Sequence, residues 1–130
     1  MYLLDTCIIS KFICGEVKTI DAFHLLKPYE IHISPITLFE VEFGLLKNPG
    51  GVSEFMPIIA ELFLKSKMID ISYKESISAA HIRYDLDKLG NIMGHYDILI
   101  AATALANDLI LVTSDAQKFS KIKNLKCEAW

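Results

Sequence analysis

Residues 97–115 read DILIAATALANDLILVTSD, and two periodicities meet inside them. From Ile98 to Ala106 the stretch is apolar on every face, the mark of a helix enclosed by other elements. Asn107 and Asp108 interrupt it, and Leu109 to Val112 then forms a short continuous apolar run, which reads as a buried strand. A buried helix followed at once by a buried strand is the repeating unit of an α/β domain, because parallel strands need long crossover connections. The run stops on a carboxylate, Asp115.

The amino-terminal end repeats the oddity. Tyr2 to Leu4 reads as a strand and is cut short by Asp5, after which Thr6 to Phe12 reads as a helix. Residues 19–28 are moderately helical, with Pro28 marking the end. Ile31 to Ile33 is a second strand, and Ser34 before Pro35 is a strong helix start. That helix runs through ITLFEVEFGLLK to NPGG at 48–51, a Pro/Gly loop. Phe55, Ile58, Ile59, Leu62 and Phe63 share a helical stripe, while Met56, Ala60 and Leu64 make the other side apolar too. Such a helix faces a partner as well as a core, which suggests a homodimer.

Met68 to Ile71 reads as a third strand, and Ser72 with Glu75 forms a capping-box signature for a helix carrying Ala79, Ile82, Leu86 and Leu89 and ending at Gly90. A helix over 95–107 precedes the strand Leu109 to Val112, and Leu125 to Trp130 adds a last one. The expected fold is α/β, three-layered, with a central, mostly parallel sheet flanked by helices, residues 1–130 forming one domain.

Composition narrows the function. Of 130 residues 52% are hydrophobic, enough for several elements to be apolar on more than one face. The net charge is −3, with twelve lysines and only Arg83 as arginine, so bulk charge does not announce a nucleic-acid binder. No apolar stretch approaches the about 20 residues of a membrane span, and the start lacks a basic leader, so a cytoplasmic location is expected. Cys7, Cys14 and Cys127 show no metal-ligand spacing and read as small core residues in a reducing compartment.

Parallel sheets place their sites at the carboxyl ends of strands. If the two Asp-terminated strands are neighbours, Asp5 and Asp115 arrive at one edge. Glu40 on its helix, bordered by Ile36, Phe43 and Gly44, and Asp97 at the start of the buried helix can join them. Each acid also has a simpler reading. Asp5 and Asp115 suit helix N-caps, Asp97 a first turn, and Glu40 a capping box with Thr37. Four converging carboxylates repel one another by about 4 kcal/mol per pair at 4 Å and an effective dielectric near 20, so they call for a cation. All-oxygen ligands suit Mg²⁺ or Mn²⁺ and, through them, a phosphodiester substrate.

The motifs LLDT with Asp5, ISPITLFEVEFG with Glu40, GHYDILIAATALA with Asp97, LVTSD with Asp115, and the closing Trp130 together resemble PIN-domain ribonucleases, in particular the VapC-type toxins of toxin-antitoxin pairs. The resemblance implies a metal-dependent endoribonuclease, usually dimeric, held inactive by a cognate antitoxin and meeting DNA only through that antitoxin. It carries the family's acids onto Asp5, Glu40, Asp97 and Asp115. Asp5 and Asp97 are then direct Mg²⁺ or Mn²⁺ ligands, with Glu40 and Asp115 binding through water, completing a second metal site or acting as base. Thr6 and Thr113 would orient these carboxylates, or simply satisfy backbone groups at strand ends. The family usually has asparagine directly after the first Asp-Thr, where this chain has Cys7.

Three further readings stand beside these. Lys118, Lys121, Lys123 and Lys126 form either a rail for RNA phosphates or a solvated surface, and His95 either assists proton transfer or is structural. Arg83 is a surface charge. Rival functions are an aspartyl-nucleophile phosphatase using Asp5, and a catalytically weak module that binds nucleic acid together with its partner.

Overall fold

The computed structural model describes residues 1–130, with all side chains except those at positions 49 and 51–53. The elements are β1 (Tyr2–Leu4), α1 (Thr6–Ile13), α2 (Val17–His24), β2 (Ile31–Ile33), α3 (Pro35–Lys47), α4 (Pro49–Lys65), β3 (Lys67–Met68), α5 (Tyr73–Lys88), α6 (His95–Ala106), β4 (Ile110–Thr113) and β5 (Lys126–Ala129). The strands form one sheet in the order β3-β2-β1-β4-β5, and every pairing is parallel. From β1 the chain steps one way to β2 and β3, then returns to fill β4 and β5 on the other side. The point where the winding reverses therefore lies between β1 and β4, and ligand sites of open α/β sheets form at such a point.

Strand alternation builds the three layers. Neighbouring residues of a strand face opposite ways, so Leu3 and Leu111 enter a core with Ala79, Ile82, Leu86 and Ile98 from α5 and α6. Leu4 and Val112 enter a second core with Ile8, Ile9, Val41, Ile59 and Leu62 from α1, α3 and α4. Small residues make the inner helix possible: Ala101, Ala102 and Ala104 of α6 are fully buried. No helix among the described residues is long and apolar enough to cross a membrane.

Several boundaries differ from expectation. Pro28 does not end α2 but opens a one-turn 3₁₀ helix at Pro28–Glu30; the residue before a proline is driven out of the helical region, and Lys27 is extended. The expected NPGG loop shrinks to Asn48 alone, since α4 begins at Pro49, where a missing N–H costs a helix nothing. The third strand is only Lys67–Met68 rather than Met68–Ile71. It is an exposed edge, though the Ile69 N–H still donates to the Ile33 carbonyl at 2.9 Å. Leu89 leaves the α5 stripe: it is the C-cap of that helix and 64% exposed, and Gly90 at φ +64° takes the left-handed turn that follows.

Candidate active site

Four separate segments reach the carboxyl edge of the sheet at its switch point. Asp5 directly follows β1, and its N–H continues the ladder to the Val112 carbonyl at 2.9 Å. Asp115 lies two residues beyond β4. Because α6 runs back toward β4, its first turn brings Asp97 to the same edge. Glu40 sits in the second turn of α3, which leaves the carboxyl end of β2. Phe39 packs edge-on against Tyr96 with ring centroids 5.5 Å apart, clasping α3 to α6 beside the two acids.

A continuous run of hydrogen bonds links all four carboxylates. The Thr6 hydroxyl donates to Glu40 Oε2, and the Thr6 N–H donates to Asp5 Oδ1 at 2.7 Å. The Thr113 hydroxyl donates to Asp5 Oδ2 at 2.8 Å and receives the Asp115 N–H at 3.3 Å. Asp115 Oδ1 accepts the Lys118 N–H at 3.2 Å, and the Lys118 ammonium lies 2.6 Å from Asp97 Oδ2. Asp5 is the most enclosed of the set, with 8% of its surface exposed, and a buried carboxylate needs such donors to remain tolerable.

The simpler readings of the acids are partly realised alongside this network. Asp5 is the N-cap of α1 and Asp115 caps the short 3₁₀ helix at Ala116–Phe119. A Thr37–Glu40 capping box does not form: Ser34 caps α3 by accepting the Thr37 N–H at 3.1 Å, while the Thr37 hydroxyl donates to the Leu4 carbonyl. Glu40 is thereby left to Thr6. The two threonines divide their work, Thr113 holding Asp5 and Thr6 holding Glu40 by its hydroxyl.

Cys7, directly after Asp5 and Thr6, joins the network. Its thiol donates to Asp5 Oδ2 and its sulfur accepts the Ser114 N–H, both at 3.3 Å. It supplies a donor and an acceptor, weakly on each side.

Lys118 and Lys126, which the sequence offers as part of either a phosphate rail or a solvated surface, do not lie on one line. Lys118 is turned into the acids, whereas Lys126 begins β5 and pairs with Asp108 at the opposite, amino edge of the sheet. His95 and Arg83 line a groove between α5 and α6 together with Ala79, Ile98 and Leu99. Lys118 is the site residue that sequence reasoning misplaced. Its spacing, three residues after a capping aspartate, was the signal that could have found it.

Electrostatics explain its position. Partial burial by itself draws the Lys118 ammonium down, but the hydrogen bond to Asp97 and the charges of Asp97, Asp5 and Asp115 outweigh that, so its pKa lies above that of a free lysine. The acids themselves stay spread along the edge. Among the described residues no three His, Cys, Asp or Glu side chains close on one ion-sized point. The donor set nonetheless fits a hard divalent ion: every ligand offered is oxygen, and an ammonium already occupies a cation's place against Asp97. Gly94 leaves room there, since a Cβ on it would come within 3.1 Å of Asp97 Oδ2.

A doubly wound parallel sheet with carboxylates from four segments at its switch point defines an acid-edged α/β domain suited to holding cations against anionic substrates. The chain belongs to the PIN-domain family, whose model matches residues 2–125. It is 32% identical to ribonuclease VapC2 of Rickettsia felis, covering 100% of this chain and 98% of that protein. It is 28% identical to the tRNA(fMet)-specific endonuclease VapC of Salmonella typhimurium, over 99% of this chain and 97% of that one. Among solved structures, the crystal structure of VapBC2 from Rickettsia felis bound to a DNA fragment from their promoter superposes with a TM-score of 0.88 at 29% identity, covering 99% and 98% of the two chains.

Proposed function

We propose that the protein is a metal-dependent endoribonuclease that hydrolyses RNA phosphodiester bonds, the toxin of a toxin-antitoxin pair neutralised by a cognate antitoxin. The observation that carries the reading is the hydrogen-bonded run joining Glu40, Asp5, Asp115 and Asp97 at the switch point, with a lysine ammonium standing in for a cation. The relatives named above support the RNA substrate, and the VapBC2 complex supports an antitoxin through which DNA is met.

Asp5 and Asp97 would hold Mg²⁺ or Mn²⁺, with Asp115 and Glu40 on either side. When bound, such an ion supplies neutralising charge at the phosphate oxygens and a water acidic enough to attack at neutral pH. Thr113 and Cys7 keep Asp5 Oδ2 aimed along the edge. Glu40 is the base: Oε2 is taken by Thr6, and Oε1 is left to accept the proton of the attacking water. The water oxygen then bonds to phosphorus while the bond to the leaving ribose oxygen breaks, that oxygen departing with the bonding pair and taking a proton from solvent.

The phosphatase alternative fares worse. The relatives named above are a ribonuclease and a tRNA endonuclease, not phosphatases. A homodimer, acting in the cytoplasm where RNA is found, completes the reading, and exposed Met56, Ile58 and Leu64 along α4 support it.

The test is incubation of the purified chain with a pool of structured RNAs, in Mg²⁺ or Mn²⁺ and in chelator, beside Asp97→Asn. Discrete products that disappear with chelator and with the variant are expected. Intact RNA from a folded, metal-bound protein would overturn the nuclease and leave the binding module.

A further inference from the structure

We propose that Lys118 is a tethered counter-ion of the acidic edge, its ammonium holding Asp97 in the metal-free chain and giving way when a divalent ion binds. The inference rests on the metal reading above and concerns what that ion must displace.

Two observations carry it. The Lys118 ammonium is 2.6 Å from Asp97 Oδ2, and the side chains are only 40% and 23% exposed. Lys65–Glu61 at 51% and 65% and Lys126–Asp108 at 61% and 86% are more open, while Lys11–Glu16, enclosed to a similar degree at 32% and 41%, is longer at 3.4 Å. Second, the ammonium is aimed by its own backbone. The Lys118 N–H is bound by Asp115 Oδ1, and the next residue, Phe119, is anchored in the core at 1% exposure with its ring 5.6 Å from the ammonium.

An ammonium on Asp97 Oδ2 and a divalent ion on the same carboxylate repel each other in a partly buried site, and the more highly charged ion prevails in the competition for it. Binding of the ion is therefore an exchange. Lys118 keeps the carboxylates ordered without metal and raises the metal concentration at which the site loads.

The experiment is calorimetric titration of Mn²⁺ into the wild-type chain, Lys118→Met, Lys118→Arg, Asp97→Asn and Lys123→Met, the last removing one exposed charge outside the network. Thermal unfolding in chelator and in Mn²⁺ accompanies each titration. Lys118→Met is expected to bind Mn²⁺ about ten-fold more tightly than Lys123→Met, to melt lower than it in chelator and to gain more from Mn²⁺, while Lys118→Arg stays near wild type. Should Lys118→Met fail to fold, Lys118→Gln carries the same expectations. Equal or weaker Mn²⁺ binding by the neutral variants, with binding abolished in Asp97→Asn, would overturn the counter-ion and leave the metal site intact. No binding by any protein, wild type included, would overturn the metal site and the exchange together.

Discussion

Glu75 offers a stability measurement tied to the helix that presents Asp97. It lies in the first turn of α5, is 1% exposed, and is ringed by donors. The Ser72 N–H and hydroxyl reach its Oε2 at 3.0 and 2.6 Å, and the Asn107 amide reaches Oε1 at 2.9 Å. Asn107 is the C-cap of α6 and also donates to the Thr103 carbonyl, so one carboxylate pins α5 to the far end of the helix whose first turn carries Asp97. Burial alone raises the Glu75 pKa, but the hydrogen bonds from Ser72 and Asn107 and the nearby backbone outweigh it and lower it from 4.5 to about 2.

The folded pKa is below the unfolded one, so the stabilisation is fully present above pH 4.5 and is lost as pH falls toward about 2. At about 1.4 kcal/mol per pH unit, the displacement amounts to about 3 kcal/mol at neutral pH. Urea unfolding of wild type and Glu75→Gln at intervals from pH 7 to pH 2.5 measures it. The variant is expected to lose about 2–3 kcal/mol at pH 7, moving the midpoint down by about 1 M or more, and to show a flatter pH dependence below pH 4.5. A variant within about 0.5 kcal/mol of wild type, with an unchanged slope in that window, would refute the clamp.

Thr113→Val removes the donor to Asp5 Oδ2 and the acceptor of the Asp115 N–H; RNA cleavage is expected to fall about 10–100-fold, with Thr113→Ser close to wild type. Cys7→Asn places an amide where the thiol bridges Asp5 and the Ser114 N–H, and tighter Mn²⁺ binding by calorimetry is expected; unchanged binding would make the thiol an adequate substitute. Light scattering over a wide concentration range is expected to show a dimer that Leu64→Glu dissociates, and a monomer throughout would remove the homodimer.

The architecture was legible wherever period and punctuation agreed. Leu109 to Val112, the Ser34-Pro35 start and the Ser72–Glu75 box all depend on neighbours a few residues apart, and the elements form where those signals stand. Boundaries governed by tertiary burial were not legible: Leu89 fits the α5 stripe by spacing, yet its helix ends before it can reach the core. At the site, the approach of Asp5 and Asp115 to one edge follows from the strands they terminate, and that of Asp97 and Glu40 from the helices that carry them. What those acids touch does not, because Lys118 is aimed by the register of a 3₁₀ turn and Glu40 by a threonine 34 positions earlier, and neither leaves a periodic trace.

The pairing of β1 with β4 has a temporal side. The Thr113–Asp5 hydrogen bond joins positions 108 residues apart, and Lys118 lies further on still. During synthesis, at about 5–20 residues per second, Asp5 emerges seconds before its partners, and the central strand waits with one edge unpaired. The acidic edge therefore cannot close before Lys118 has been made. Any chain halted before residue 113 lacks the hydroxyl that holds Asp5 Oδ2.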